Sequence, residues 1–343
     1  TTGLPEVDRA TKPGTFSVTF DSPTDEHTFQ VEFLRDSASA GSGLRLEWTP
    51  KAETLLPEAL AAAKQSDLVV AMLGLSPDLE GEEMPVKLPG FAGGDRTDIN
   101  LPASQDALLQ QIVATGKPTI VVLLNGSALA VNFAAQHANA LLEAWYPGEA
   151  GGNAIADTII GKNNPSGRLP VTFYQSENDL PDFSDYSMKN RTYRYFTGTP
   201  LFGFGYGLSY THFTYSGLKL STKNLKAGQP LTAEVTVKNT GKLAGEEVAQ
   251  LYLLPPAEGN DGLSPRQQLE GFQRVTLQPG ESRRITFTLS ARELSEVDAK
   301  GTRAVQPGHY TLAIGGAQPH DTHAATPSQT TTFTIHGTQE LPH

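Results

Sequence analysis

Between residues 80 and 98 the chain reads Glu80-Gly-Glu82-Glu83 and then Gly94-Asp95-Arg96-Thr-Asp98, directly after an apolar run, Leu68-Val-Val-Ala-Met-Leu-Gly-Leu75. Carboxyl groups at this density suit general acid or base work if one of them is shielded while its neighbours stay wet. Strand ends in open α/β sheets are where ligands bind, and the glycines let the backbone turn there. The same stretch also reads as a solvated acidic loop, and the residue types alone leave both readings open. Asp95-Arg96 reads as an ion pair that anchors the loop, or as a ligand contact.

Elements that would position these groups follow from periodicity. Residues 56–66 read as a helix with Pro57 in its first turn, and the 68–75 run reads as a strand. Residues 100–116 read as a helix, with Pro102 early and Gly116 as its stop. Strand Thr119–Leu124, a short helix near Val131–His137, strand Ala140–Trp145 and a helix over 152–160 complete the run. Near-continuous apolar strands alternating with helices predict a mostly parallel sheet covered on both faces. Trp145, after a buried strand, offers a ring face for an apolar ligand surface or simply packs in the core.

Residues 1–49 show alternating strand patterns, too few to make a domain of their own. Residues 181–213 form a connector too aromatic to be disordered, with Tyr186, Tyr193, Phe202 and Phe204 among its members. From 214 to 336 the pattern is all-β, with strands 231–237, 247–253, 282–289, 310–314 and 331–335, and turns at Gln278-Pro-Gly280 and Gln306-Pro-Gly308. Short strands at this spacing predict an immunoglobulin-like or fibronectin-like β-sandwich. The fold class is therefore multidomain, α/β plus all-β.

Composition narrows the function. The 343 residues carry a formal charge of −11 and no cysteine. Nucleic acid and anionic membrane are poor partners for such a surface, because both reward clustered Lys and Arg. Apolar runs fall well short of the ~20 residues that span a bilayer. Thiolate catalysis and cysteine-ligated metals are excluded. The histidines show no metal-ligand spacing, and the Gly148–Gly152 turn lacks dinucleotide-binding spacing, so neither a metal nor a cofactor is expected. A neutral sugar is compatible with this charge. The chain opens Thr-Thr-Gly, without Met or a signal peptide, and reads as processed or as part of something longer.

Four segments in order resemble glycoside hydrolase family 3, the exo-acting β-glucosidases and β-xylosidases. They are Glu80–Glu83 with Gly94-Asp-Arg96 and Ile99–Pro102; Trp145-Tyr-Pro-Gly-Glu-Ala-Gly-Gly152; Asn164-Pro-Ser-Gly-Arg-Leu-Pro-Val-Thr-Phe173; and Tyr193-Arg-Tyr-Phe196 followed by Leu201–Tyr210. Ser264–Phe272 resembles that family's fibronectin type III-like domain. The resemblance implies an α/β sandwich over 50–180 carrying the acid/base loop, the connector 181–213, and a fibronectin-like domain over 214–336. Residues 1–49 look like the closing strands of a PA14-like insertion. It also implies a retaining hydrolase acting on oligosaccharides or glycosides, periplasmic or secreted. Its nucleophile would lie on an N-terminal barrel domain, a partner outside this chain.

Relatives read Glu-x-Glu-Gly before Asp-Arg, which by resemblance gives the acid/base role to Glu82. Here Glu83 stands where Gly is usual, and residues 85–94 lengthen the gap to Asp95, so Glu83 and Glu80 remain alternatives. Trp145 and Arg96 are the candidate substrate-binding residues. The competing reading is a non-catalytic carbohydrate-binding or scaffold chain.

Overall fold

The structure, a computed structural model, describes residues 52–81, 83–86, 88–256 and 264–342. The expected strands of 1–49, and with them the PA14-like segment, lie outside the described residues. Residues Glu53–His343 form one compact unit.

Helix α1 (Ala52–Gln65) starts four residues before the predicted position, so Pro57 lies inside the helix and not in its first turn. Strand β1 (Val69–Gly74) follows, then a hairpin of two short strands, β2 (Phe91–Ala92) and β3 (Asp95–Arg96). Helix α2 (Ala103–Val113) begins after Pro102, where a missing N–H costs nothing, and Gly116 leaves it with φ +74°. Strand β4 (Thr119–Leu124), helix α3 (Asn132–His137), strand β5 (Ala140–Glu143) and helix α4 (Gly151–Ile159) complete the layer.

The sheet order is β1-β4-β5, and both pairings are parallel, as the apolar runs predict. Parallel strands put all three carboxyl ends, Gly74, Leu124 and Glu143, along one edge, so the loops that follow them share one side of the sheet. Gly74 is required there: a Cβ would sit 2.0 Å from the Leu124 carbonyl oxygen. Gln105 of α2 locks that end, accepting from the Gly74 N–H at 2.7 Å and donating to its carbonyl at 2.8 Å. Leu109, Val121, Leu123 and Leu129 are fully buried beneath the edge, each contributing about 1.5–3 kcal/mol by leaving water. Cover is incomplete at the edge strand β1, where Val70 and Met72 are 42% and 48% exposed.

A short helix, α5 (Thr192–Tyr195), leads into the β-sandwich. Its strands are β6 (Phe213–Leu220), β7 (Asn224–Lys226), β8 (Leu231–Asn239), β9 (Gly245–Leu254), β10 (Gln268–Leu277), β11 (Ser282–Leu289), β12 (Glu296–Val297), β13 (Arg303–Val305), β14 (Gly308–Gly315), β15 (Gln329–His336) and β16 (Gln339–Glu340). Two sheets, β10-β9-β14-β15-β7 and β11-β8-β6, face each other over Leu231, Val235, Leu251, Leu277, Ile285 and Leu312. The five predicted strands are present. Missed were two long strands, β6, whose register breaks between Ser216 and Lys219, and β10, whose face carries exposed Phe272, and the two- or three-residue strands β7, β12, β13 and β16.

The motif segments join the sandwich to the α/β layer. Arg168 reaches Glu247 on β9 at 2.7 Å, with both side chains buried, and Tyr215 donates to the other Glu247 oxygen at 2.6 Å. Asn164 accepts from the Tyr210 N–H and the Ser209 hydroxyl and donates to the Ala244 carbonyl. Tyr193 stacks on Phe204 at 4.1 Å and accepts from the Leu269 N–H, while the Arg266 N–H donates to the Arg194 carbonyl. The connector is thus a bolted seam. Tyr186 takes no part in that seam: it is 90% exposed, on a loop shaped by Asp182 and Asp185 turns and tied by Arg191 to three carbonyls.

Candidate active site

At the carboxyl edge of the sheet, three segments meet on the side chain of Glu80. One of its oxygens accepts from the Ser127 hydroxyl, after β4. The other accepts from the Gly126 N–H at 3.1 Å and from the Tyr146 hydroxyl, after β5. Arg96, on the β2–β3 hairpin, lies 3.9 Å away. Gly126 leaves room for the arrangement, since a Cβ there would stand 2.7 Å from the Tyr146 ring. Burial and the hydrogen bond to Glu80 push the Tyr146 phenol above its ordinary range.

Arg96 does anchor the loop, but not by pairing with Asp95, which is exposed. It lies near Glu80 and 4.0 Å from Asp98, donates to the Asn100 carbonyl at 2.9 Å and to Ser127 at 3.2 Å, and covers the Phe91 ring. The hairpin turns Asp95 outward, because successive strand residues face opposite ways.

Beside this cluster is an open depression of about 560 Å³ lined by Gly126, Ser127, Ala128, Trp145, Pro170 and Val171. Trp145 packs in the core and is also reachable from the depression: its ring lies edge-on against buried Phe173 at 6.0 Å, and it is among the lining residues. Its backbone is left-handed, with φ 53°, a conformation that costs of order 1 kcal/mol or more in a bulky residue. Glu143 holds it, accepting from the Trp145 N–H at 2.9 Å.

Burial raises the Glu143 carboxyl from 4.5 to about 7, against hydrogen bonds from Trp145 and Asn125 that lower it. A carboxyl whose folded pKa is raised binds more protons in the native state. Its stabilising contribution is full below about pH 4.5 and is lost as pH rises to 7. Thermal melts from pH 5 to pH 8 are therefore expected to fall, and Glu143→Gln to flatten part of that fall. Glu270, also raised to about 7 by burial, retains the rest. An identical slope in the variant would contradict this.

Glu80, Arg96 and Trp145 thus share one sheet edge. Glu83 is exposed, with φ 51°. Glu82 lies outside the described residues. Sequence reasoning missed Ser127, Tyr146, Asn125 and Glu143. Their signal was positional: Asn125, Ser127 and Tyr146 fall just after the end of a predicted parallel strand and Glu143 within the last residues of one, where ligand sites gather.

A family model described as the glycosyl hydrolase family 3 C-terminal domain matches residues 5–210, and one described as a fibronectin type III-like domain matches 247–318. The chain belongs to glycoside hydrolase family 3. This family-3 chain is 40% identical over 276 residues to a xylan 1,4-beta-xylosidase of Xylanibacter ruminicola, covering 80% of itself and 31% of that protein. It is 38% identical to a periplasmic beta-glucosidase of Salmonella typhimurium, covering 77% and 34%. Among solved structures, it superposes with TM-score 0.70 and 34% identity on a b-glucosidase from Erythrobacter marinus, over 82% of this chain and 36% of that one. With a beta-glucosidase from Listeria innocua in complex with glucose, the TM-score is 0.67 and the identity 29%, over 85% of this chain and 40% of the other. The family-3 chain spans about a third of the length of the curated relatives it matches.

Proposed function

We propose that this chain is the C-terminal part of a retaining exo-β-glycosidase that removes β-linked glucose or xylose from the non-reducing ends of short saccharides. The observation that carries this reading is the carboxylate loop at the parallel-strand edge, beside a depression lined by Trp145, in a chain similar to β-xylosidases and β-glucosidases. Glu82 is the acid/base, and the nucleophilic carboxylate lies on a barrel domain outside this chain.

In the first step the nucleophile attacks the anomeric carbon while Glu82 protonates the departing glycosidic oxygen. The C–O bond breaks, leaving a glycosyl ester on the nucleophile. In the second step the Glu82 carboxylate takes a proton from water. The resulting hydroxide equivalent displaces the ester, and the sugar leaves with its β configuration retained. Trp145 offers a ring face to the sugar at the depression, and Arg96 bounds its carboxylate side. In this reading residues 50–180 carry the loop, the connector 181–213 bolts it down, and the domain over 214–336 buttresses it. Likeness to a periplasmic relative favours a periplasmic or secreted setting.

Double displacement needs two carboxyl groups about 5–5.5 Å apart, and this chain supplies one. The isolated chain is therefore expected to hydrolyse no aryl glycoside at a measurable rate, and turnover to appear when the barrel polypeptide is added. Turnover by the chain alone, abolished by replacing a carboxylate within it, would overturn the proposal. Failure of the mixture to turn over while a saccharide still binds would favour a carbohydrate-binding scaffold.

A further inference from the structure

We infer that Glu80 is a positioning residue: it ties the active-site loop to the sheet edge through a clamp with Ser127, Gly126, Tyr146 and Arg96, and does not itself exchange a proton with substrate. The inference rests on the glycosidase reading above and assigns a distinct task to a second carboxyl of the same loop.

Three observations carry it. First, both Glu80 oxygens are occupied as acceptors, one by Ser127 and the other by the Gly126 N–H and Tyr146, with Arg96 at 3.9 Å. The side chains of Glu80 and Arg96 are each only 13% exposed. Second, the partners come from three separate segments: hydrogen-bond donors from the turn after β4 and the turn after β5, and the Arg96 charge from the β2–β3 hairpin. One carboxylate therefore joins every loop on that edge. Third, the middle of the loop has few other ties among the described residues. Among the described residues only Phe91 packs against the core and only Ile99, at the loop's end, accepts a backbone bond from Ala130; Leu88 is 51% exposed, Met84 and Val86 are only partly buried, and the bonds from Met84 N–H to Gly93 and from Thr97 N–H to Gly90 stay within the loop.

Acceptor chemistry makes the residue type matter. A carboxylate accepts at every lone pair and donates nowhere, whereas an amide must turn an NH₂ toward one of these donors. Glu80→Gln keeps the shape, removes the negative charge beside Arg96, and either faces an NH₂ at a donor or forces a hydroxyl to reverse, so the charge-assisted contacts are lost. A hydrogen bond to a charged group is strong enough that losing one should multiply local opening about tenfold or more.

The test uses the complete enzyme and two readouts. Hydrogen exchange of Glu80→Gln is expected to rise about tenfold or more across residues 76–99 and to stay unchanged in the β-sandwich. Turnover is expected to fall about 10–100-fold, mainly in kcat, the scale on which a misplaced catalytic group loses rate. Tyr146→Phe, which removes one donor and keeps the ring, should give the same exchange pattern in milder form. The double variant should lose less than the product of the two single losses. Should Glu80→Gln fail to fold, Tyr146→Phe carries the test alone.

Unchanged loop exchange in a variant that has lost activity would overturn the inference, since Glu80 would then act on substrate. Azide restoring turnover to Glu80→Ala with release of a β-glycosyl azide would overturn it too, since Glu80 would then be the acid/base itself. Exchange does not depend on turnover, so a failure of the glycosidase reading leaves this result standing or falling on its own.

Discussion

Glutamine at position 82 is expected to slow the complete enzyme by about 10²–10⁴-fold on substrates with poor leaving groups, the range that a positioned proton donor contributes. Alkyl glycosides and disaccharides leave as alkoxides unless protonated, so they need the acid fully. Activated aryl glycosides leave as stabilised phenolates and need it little, so their first step should be almost untouched. The second step still lacks its base. The glycosyl-enzyme should accumulate on aryl substrates, and KM should fall together with kcat. Steady-state kinetics on a series of leaving groups would show a steep dependence in the variant and a shallow one in the parent. An equal, small loss on every substrate would remove Glu82 from the role and turn attention to exposed Glu83.

The second large effect is on stability. Arg168→Met is expected to destabilise the folded chain by about 3–5 kcal/mol, the cost of leaving a buried charge without its partner. Glu247 is 3% exposed, and burial already raises its carboxyl pKa despite Arg168 and Tyr215. Removing the guanidinium raises it further. The native state then holds its proton to higher pH than the unfolded chain does, so the loss should deepen as pH rises. The Gly316 and Ser166 carbonyls also lose a donor. The double variant Arg168→Met/Glu247→Met should recover part of the loss, because an apolar pair leaves no charge unpaired. Urea melts of both variants at pH 5 and pH 8 would measure this. A single-variant loss below about 1 kcal/mol would reduce the contact to the level of a surface ion pair.

The fold was legible where a residue's role is local and periodic. The runs at 68–75 and 119–124 are apolar because they form a packed parallel sheet, and Gly116 marks a helix end because it sits at φ +74°. Strands 231–237 and 282–289 alternate because one face is core and the other water. What escaped is non-local. Val70 and Met72 look like buried residues in sequence, and only the sheet order reveals that β1 is an edge. Asn164 and Arg168 stand out as a motif, yet nothing in their spacing says that Ala244 and Glu247, about eighty positions later, complete their bonds. The candidate site divides the same way. Acidic density drew attention to Glu80, but Ser127 and Tyr146 are ordinary residues until three strand ends bring them to one carboxylate. Arg96 was rightly read as an anchor and wrongly paired, because adjacency in sequence put Asp95 beside it while the hairpin turned the two apart.

Chemical rescue of Glu82→Ala tests the central claim most directly. With an activated aryl glycoside, the variant enzyme should accumulate glycosyl ester that water cannot clear. Azide needs no base, so it should attack the anomeric carbon, restore turnover by an order of magnitude or more, and release a β-glycosyl azide of retained configuration. If azide leaves the rate unchanged and the only product is the free sugar, Glu82 is not the acid/base of this enzyme.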